Sequence, residues 1–162
     1  MLDFVMYSIE LNRKYAHGLV GDVAEEQMVA QVAGRAVNHP AWVLGHLAIG
    51  NDFACKLMGG PTVCPEGYVK LFDMGTKPLN DRAVYPAKAE LLSNFDRTMT
   101  NVAAALKQVD ESVLRGPMSG PLAQWFPRVG DYVIFDLTAH MGTHLGQLST
   151  WRRALGLPSV LG

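Results

Sequence analysis

The amino-acid sequence predicts an all-α protein, a four-helix bundle whose helices are joined by crossover connections. Three observations favour this fold class. Four long segments carry apolar residues at helical spacing, the stretches between them differ widely in length, and no segment requires a strand, although short β pieces fit around Val69 or Trp125. The chain has 162 residues, of which 49% are hydrophobic. That composition suits one domain over residues 1–162.

The first predicted helix runs from about Asp3 to Gly18. Its apolar residues recur at intervals of three and four and form one stripe: Leu2, Val5, Met6, Ile9 and Ala16. A short helix is expected next, because Asp22 and Glu25 are spaced like a capping box in front of an apolar run.

The second predicted helix begins near Asn38, His39 and Pro40 and reaches Met58. Asn is a favourable N-cap, and Pro is tolerated in the first helical turn. The breaker Gly59-Gly60-Pro61 ends the helix. A loop of about 25 residues follows, and loops of that length are uncommon unless they have a function.

The third and fourth predicted helices complete the bundle. Pro86 opens the third helix, whose apolar face continues to Leu106. A second stretch rich in Gly and Pro separates it from the fourth helix, which begins at Asp131 as N-cap and runs to about Leu155. A Gly and a Pro just beyond Leu155 end that helix.

Charge, hydropathy and cysteine usage exclude several classes of protein. The net charge is −1 and no run of Lys or Arg stands out, which argues against a nucleic-acid partner. No stretch approaches the roughly 18 apolar residues of a membrane span, and the N-terminus lacks the pattern of a secretory signal. Cys55 and Cys64 do not form a CxxC pair and are expected to be reduced thiols. We therefore expect a cytoplasmic protein without a membrane partner.

Two histidines share a face of the fourth predicted helix. His140 and His144 are four residues apart, so their imidazoles lie one turn apart, as in the HExxH zinc motif. No Glu lies between them, which argues against a metalloprotease. The other residues of this face are apolar: Leu137, Leu148 and Trp151.

A third histidine, His46, lies on the second predicted helix on a face with Trp42 and Phe53. If the two histidine faces meet in the core, three imidazoles surround one point and leave a coordination position open, as in catalytic metal sites. Cys55 lies about half a rotation away from His46 and is a poor fourth ligand. Hydrogen bonds alone can also satisfy buried imidazoles, so a bundle without metal is the alternative at this point.

Three further residues lie close to the histidine face. Gln147 follows His144 by three residues, and Asp136 precedes His140 by four. Each can orient a ligand imidazole, and Asp136 can also bind the ion itself. For Gln147 the alternative is a bond to interhelical polar groups, and for Asp136 contact with solvent or backbone. Trp42 is interpreted as a core or pocket wall.

The remaining histidines and two arginines are given less specific roles. His39 lies too far along the second helix to share an ion with the other three, and is predicted to cap that helix or line a pocket rim. His17 is predicted to lie on the surface near the end of the first helix. Arg152 and Arg153 are expected to form surface ion pairs, with binding of an anionic substrate as the alternative.

Three stretches together resemble the DinB-like family of metalloenzymes. The segment 38–47, NHPAWVLGHL, resembles the motif of the family's second helix, which ends in a ligand His. The segment 85–92, YPAKAELL, resembles the start of its third helix. The segment 140–148, HMGTHLGQL, with 151–158, WRRALGLP, resembles its His-x3-His-x-Gly-Gln region. The order and spacing of these pieces cover nearly the whole chain.

This resemblance implies more than the residues alone. It implies a crossover four-helix bundle, a metal-binding triad of His46, His140 and His144 at one end of the core, and a homodimer. Relatives hold zinc, nickel, iron or manganese, and zinc or nickel is the first expectation here. Some relatives are transferases that use a low-molecular-weight thiol, among them a maleylpyruvate isomerase. One divalent ion is therefore expected, with a thiol and a small-molecule substrate as candidates.

Two kinds of function fit these expectations. In the first, the protein is a metal-dependent transferase or hydrolase whose open metal position activates a thiol or a water molecule. Hydrolysis has less support, because no Glu base is evident. In the second, the protein is a non-catalytic helical module that the metal stabilises. The sequence leaves open whether the chain is an enzyme.

Overall fold

Long helices dominate the computed structural model, which describes residues 2–34 and 37–161. The α-helices of this part are α1 (Leu2–Gly21), α2 (Pro40–Leu57), α3 (Tyr68–Phe72), α4 (Lys88–Gln108), α5 (Glu111–Arg115), α6 (Val129–Phe135) and α7 (Met141–Ala154). A π-helical segment, Asp136–His140, joins α6 to α7, so the three form one continuous last helix. Short 3-10 helices cover Glu25–Val29, Arg82–Val84 and Pro121–Gln124.

The four long helices pack as a closed ring. α1 and α2 do not adjoin each other, and each packs between α4 and the last helix. α1 runs parallel to the last helix, because Asn12 donates to the Leu137 carbonyl and Arg152, further along, donates to the Leu19 carbonyl. The order around the ring is α1, α4, α2 and the last helix. In the sequence, α1 is followed by α2 and α4 is followed by the last helix, and both of these pairs lie across the ring from each other. This arrangement confirms the predicted all-α bundle with crossover connections.

The last helix runs antiparallel to α2. His46 of α2 lies beside His140, and Gly50, one turn further along α2, lies against Asp136, one turn earlier on the last helix. α4 is antiparallel to α1, since the Lys88 ammonium at its start reaches the carbonyl at the end of α1. In sequence order, α1, α2, α4 and the last helix therefore run up, down, down and up.

Two predicted helix starts are wrong in detail. The N-cap of α2 is His39 rather than Asn38, and its Nδ1 accepts a hydrogen bond from the Trp42 backbone N–H at 3.2 Å. This confirms the capping role predicted for His39. The last helix begins at Val129, two residues before the predicted N-cap Asp131. The Asp131 carboxylate instead accepts from the backbone N–H and guanidinium of the residue before the helix, within the first turn.

The predicted capping box after α1 is also wrong. Asp22 pairs with Arg152 of α7 and does not cap a helix. Glu25 accepts hydrogen bonds from Arg82 and from the Lys88 backbone N–H, so it ties the start of α4 to the 3-10 helix that follows α1. Both carboxylates therefore make tertiary contacts, which spacing within the local sequence does not reveal.

The long connection between α2 and α4 contains structure that the sequence did not predict. Within it, α3 packs on α2, and its Phe72 ring is fully buried. Gly45 of α2 permits this approach, because a Cβ at that position would lie 2.4 Å from the Phe72 ring. The connection also places Val69 in α3 rather than in a short strand.

No helix among the described residues is both long enough and apolar enough to cross a membrane.

Candidate metal centre

Three imidazoles meet between α2 and the last helix. The Nε2 atom of His140 lies 3.1 Å from Nε2 of His46 and 3.1 Å from Nε2 of His144. All three candidate ligand atoms lie within 4.8 Å of one another. The structure thus brings together the three histidines that the sequence distributes over two helix faces. Among the described residues, no Cys, Asp or Glu joins this cluster.

The short helix α3 fixes the His46 ring. Nδ1 of His46 donates a hydrogen bond to the carbonyl oxygen of Phe72, the last residue of α3, at 2.7 Å. The Trp42 ring stacks on the face of the His46 imidazole, with ring centroids 4.5 Å apart and an angle of 13° between the ring planes. Because a carbonyl oxygen can only accept, Nδ1 of His46 carries the proton and Nε2 presents a lone pair to the cluster.

A polar chain on the outer side of α7 fixes His144. Its Nδ1 donates to Oε1 of Gln147 at 2.9 Å. The same oxygen accepts from the side-chain amide of Asn38, also at 2.9 Å, which defines the orientation of the Gln147 amide. Gln147 therefore touches the candidate centre through His144, and Nε2 of His144 is left as an unprotonated acceptor.

His140 faces a buried carboxylate. Its Nδ1 lies 3.1 Å from Oδ1 of Asp136, one turn earlier, but without the alignment of a full hydrogen bond. Nδ1 of His140 and Oδ2 of Asp136 have no hydrogen-bond partner among the described residues. Gly50 makes room for the carboxylate, because a Cβ there would lie 2.8 Å from Oδ1. The hydroxyl of Tyr132 is the other polar group near Asp136, at 3.5 Å.

Burial favours the neutral form of two imidazoles, those of His144 and His46. It lowers the pKa of His144 to about 3, and the neighbouring rings of His46 and His140 add to this effect. Burial also lowers the pKa of His46, although the bond to Phe72 opposes the change. Neutral imidazole is the form that binds a metal ion.

The donor set fits one divalent ion. The unprotonated Nε2 atoms of His46 and His144 both face Nε2 of His140, which can satisfy at most one of them with a proton, whereas a cation between the three nitrogens would satisfy all of them. Metal–imidazole bonds of 2.0–2.1 Å place neighbouring ligand nitrogens about 3.0 Å apart in an octahedral shell and about 3.4 Å apart in a tetrahedral shell. The two observed separations of 3.1 Å lie within this interval.

Other predicted residues lie outside the cluster. His39 is fully buried, with its Nε2 donating to the Leu79 carbonyl at 2.8 Å. His17 lies at the surface beside Asp96, with its Nε2 2.9 Å from a carboxylate oxygen.

The interpretation of Arg152 as a surface residue is wrong. Arg152 is buried, and Asp22 and the backbone use all its donors, whereas its neighbour Arg153 is exposed. Burial raises the pKa of both cysteine thiols, Cys55 and Cys64. Neither thiol is therefore an activated nucleophile at neutral pH.

Sequence reasoning missed two parts of the site. The Phe72 carbonyl comes from a five-residue helix, whose one sequence signal is the spacing of four between its buried aromatics, Tyr68 and Phe72. The π-helical segment begins at Asp136 and ends at His140, one of the three candidate ligands. No residue type marks a π-helical turn in a sequence, although such turns are frequent at functional sites.

Comparison with known proteins identifies the family of the chain. The family model described as the DinB superfamily matches residues 8–148, a span that includes all three histidines. Searches of curated proteins and of solved structures found no significant match.

Proposed function

Because the chain belongs to the DinB superfamily, we propose that it holds one divalent metal ion through Nε2 of His46, His140 and His144. The observation that carries this proposal is the convergence of three Nε2 atoms. The other ring nitrogen of each histidine, Nδ1, faces an oxygen acceptor. Zinc or nickel is the first candidate and iron or manganese the second, since imidazole ligands suit several of these metals.

Two of the three candidate ligands, His46 and His140, are partly exposed. The His140 side chain keeps 20% of its surface exposed, while His144 is only 8% exposed. Because no further His, Cys, Asp or Glu among the described residues joins the triad, an external ligand can complete the coordination shell from the His140 side.

We further propose that the site serves a metal-dependent transfer reaction. When bound, such an ion lowers the pKa of a thiol or water in its free position. The chain supplies no activated thiol, because burial raises the pKa of both cysteines, so the nucleophile comes from outside, for example from a low-molecular-weight thiol. Burial and the Asp136 carboxylate raise the pKa of Tyr132, so this hydroxyl stays protonated.

Hydrolysis is the alternative reaction and has less support. It would need a carboxylate that can take a proton from water. The carboxylate nearest to the triad, Asp136, is directed at Nδ1 of His140 and is 2% exposed. The second alternative is a non-catalytic module in which the ion only stabilises the bundle.

Elemental analysis tests the proposed ion. Natively purified protein is expected to contain about one divalent ion per chain, and the His140→Ala, His144→Ala double variant almost none. His17→Ala removes a surface histidine and is the matched control, with unchanged metal content. Metal retained by the double variant, or wild-type protein with far less than one ion, would contradict the proposal. Titrating the cobalt-loaded protein with thiols then separates a thiol transferase, whose visible bands change, from the non-catalytic module.

A further inference from the structure

Four aromatic side chains form a continuous row that ends on the candidate metal centre. The row, called here the aromatic wall, starts at Phe53, whose ring centroid is 5.3 Å from that of Tyr132. Phe126 follows, at 5.4 Å from Tyr132 and 5.0 Å from Phe135. The Phe135 ring then stacks on His140, with centroids 5.8 Å apart and planes 30° apart. An apolar surface thus leads directly to one candidate ligand.

The wall lies beside a partly exposed ligand of the centre. Trp42 is 5% exposed and stacks on His46, which itself keeps part of its surface exposed. Phe135 is 41% exposed and lies against the partly exposed His140 ring. A molecule that approaches the free metal position along the exposed part of His140 therefore meets Phe135.

Backbone hydrogen bonds hold the outer part of the wall in place. The segment 116–129 leaves the bundle and returns to it, closed by bonds from Val129 N–H to the Gly116 carbonyl and from Met118 N–H to the Pro127 carbonyl. This segment presents Phe126 to the wall and leaves the neighbouring Trp125 73% exposed. The aromatic surface is therefore part of a closed loop on the bundle, not of a free chain end.

The charged groups around the centre are acidic. The Asp136 carboxylate faces His140, and Asp73 follows directly the residue whose carbonyl binds His46. The negative charges of both carboxylates act on His46 and on Tyr132. Two carboxylates balance the charge of one divalent ion, so an anionic ligand gains little from the local charge.

We infer that the centre takes an uncharged ligand in which an aromatic ring adjoins the metal-binding atom. The donor atom fills the free metal position while the ring lies against Phe135 and Phe126. Stacked or edge-to-face contact with these rings, together with the apolar area buried, provides the selectivity. This inference rests on the proposed metal site and adds the class of ligand to it.

Cobalt-loaded protein tests the inference with three probes of one donor type: imidazole, 4-phenylimidazole and 4-(4-carboxyphenyl)imidazole. Binding is followed by the visible bands of the ion. We expect 4-phenylimidazole to bind about tenfold more tightly than imidazole, and the carboxylated probe to lose most of this gain. Phe135→Ala and Phe126→Ala should each reduce the ratio between phenylimidazole and imidazole, while Phe4→Ala, an exposed phenylalanine on α1, should leave it unchanged.

The outcomes separate this inference from the proposed function. Normal cobalt bands with equal affinity for the first two probes would overturn the inference and leave the metal site intact. A preference that survives both wall substitutions would overturn it as well. Phe126→Ala matters most here, because Phe126 touches Phe135 and no histidine in the cluster. Absence of any cobalt bands would overturn the metal site and the inference together.

Discussion

The last helix carries two buried polar clusters that differ in how their hydrogen bonds are satisfied. Near its end, the five N–H groups of Arg152 make five hydrogen bonds, to the carboxylate of Asp22 and to the carbonyls of Leu19 and Pro158. In its middle, three imidazole nitrogens face each other, and His140 and Asp136 each keep a buried polar atom without a partner among the described residues.

This difference separates a cluster that is complete within the protein from one that is a candidate for binding a ligand. The Leu19 carbonyl belongs to the last turn of α1, where carbonyls lack partners within the helix, so Arg152 serves as a cap from another helix. Every N–H group of Arg152 has an acceptor within the protein, so this cluster needs no ligand. Around His140 the donors and acceptors do not balance within the protein, which is why that cluster, and not the arginine, points to an ion.

The largest expected effect comes from breaking the satisfied cluster. Arg152→Met retains an unbranched apolar stem but removes all five hydrogen bonds and leaves the buried Leu19 carbonyl without the Arg152 donor. We expect the free energy of unfolding to fall by about 2–3 kcal/mol, measured by denaturant titration of the metal-free protein. Metal content should not change.

Arg153→Met is the matched control, since its side chain is the exposed neighbour of Arg152. Its unfolding free energy should stay within about 0.5 kcal/mol of wild type. Equal stabilities of the two variants would show that the arginine cluster does not hold the bundle together.

A second substitution sharpens the comparison at the unsatisfied cluster. Asp136→Asn keeps the shape of the side chain and removes the charge that faces Nδ1 of His140. We expect metal affinity to fall about 10- to 100-fold, or about 1.4–2.7 kcal/mol, in competition with a chromophoric chelator. The metal-free protein should not lose stability, because a buried carboxylate oxygen without a partner is itself unfavourable.

Gly50→Ala provides an independent route to the same result. Its Cβ would lie 2.8 Å from Oδ1 of Asp136 and displace the carboxylate without altering its charge. Asp131→Asn, on the same helix but paired with Arg128, should leave metal affinity unchanged. Wild-type affinity in both test variants would mean that Asp136 does not orient His140.

The smallest expected effect concerns His39, a buried histidine of α2 whose hydrogen bonds are satisfied. Its Nδ1 must stay unprotonated to accept from Trp42, and burial lowers the pKa of His39. The unfolded chain therefore takes up the proton first as the pH falls below about 6.5, so stability decreases on acidification. His39→Asn retains an N-cap without this titration.

Chemical denaturation at pH 7.5 and 5.5 checks this prediction. Wild type should lose about 1 kcal/mol more stability over this interval than His39→Asn. The difference between the two proteins cancels the contributions of the other histidines. Parallel pH profiles would show that His39 is not held neutral by burial.

Much of the fold could be predicted because it depends on periodic residues. The four long helices follow the spacing of apolar side chains, and the family resemblance is confirmed by the match over residues 8–148. The second and fourth predicted helices each have a face that is apolar except for its histidines. Because apolar faces pack together in the core, the sequence predicts that His46 meets His140 and His144. Single-domain organisation, homodimer formation and binding of a small-molecule substrate stay predictions.

The missed features depend on contacts between distant residues. Arg152 and Asp22 are 130 positions apart, so neither side chain indicates the other in the sequence. The Phe72 carbonyl that orients His46 is a backbone atom, and any residue type offers the same acceptor. The π-helical segment has no distinctive composition either. Tertiary context decides these features, and local patterns do not contain it.

The antiparallel pairing of α2 with the last helix has a consequence for when the proposed ion can be bound. His46 is 94 residues before His140, so a nascent chain on the ribosome has His46 long before the rest of the triad is synthesised. A released but unfolded chain offers at best the nearby pair of His140 and His144. The proposed three-histidine site can therefore hold an ion only after the last helix has docked against α2.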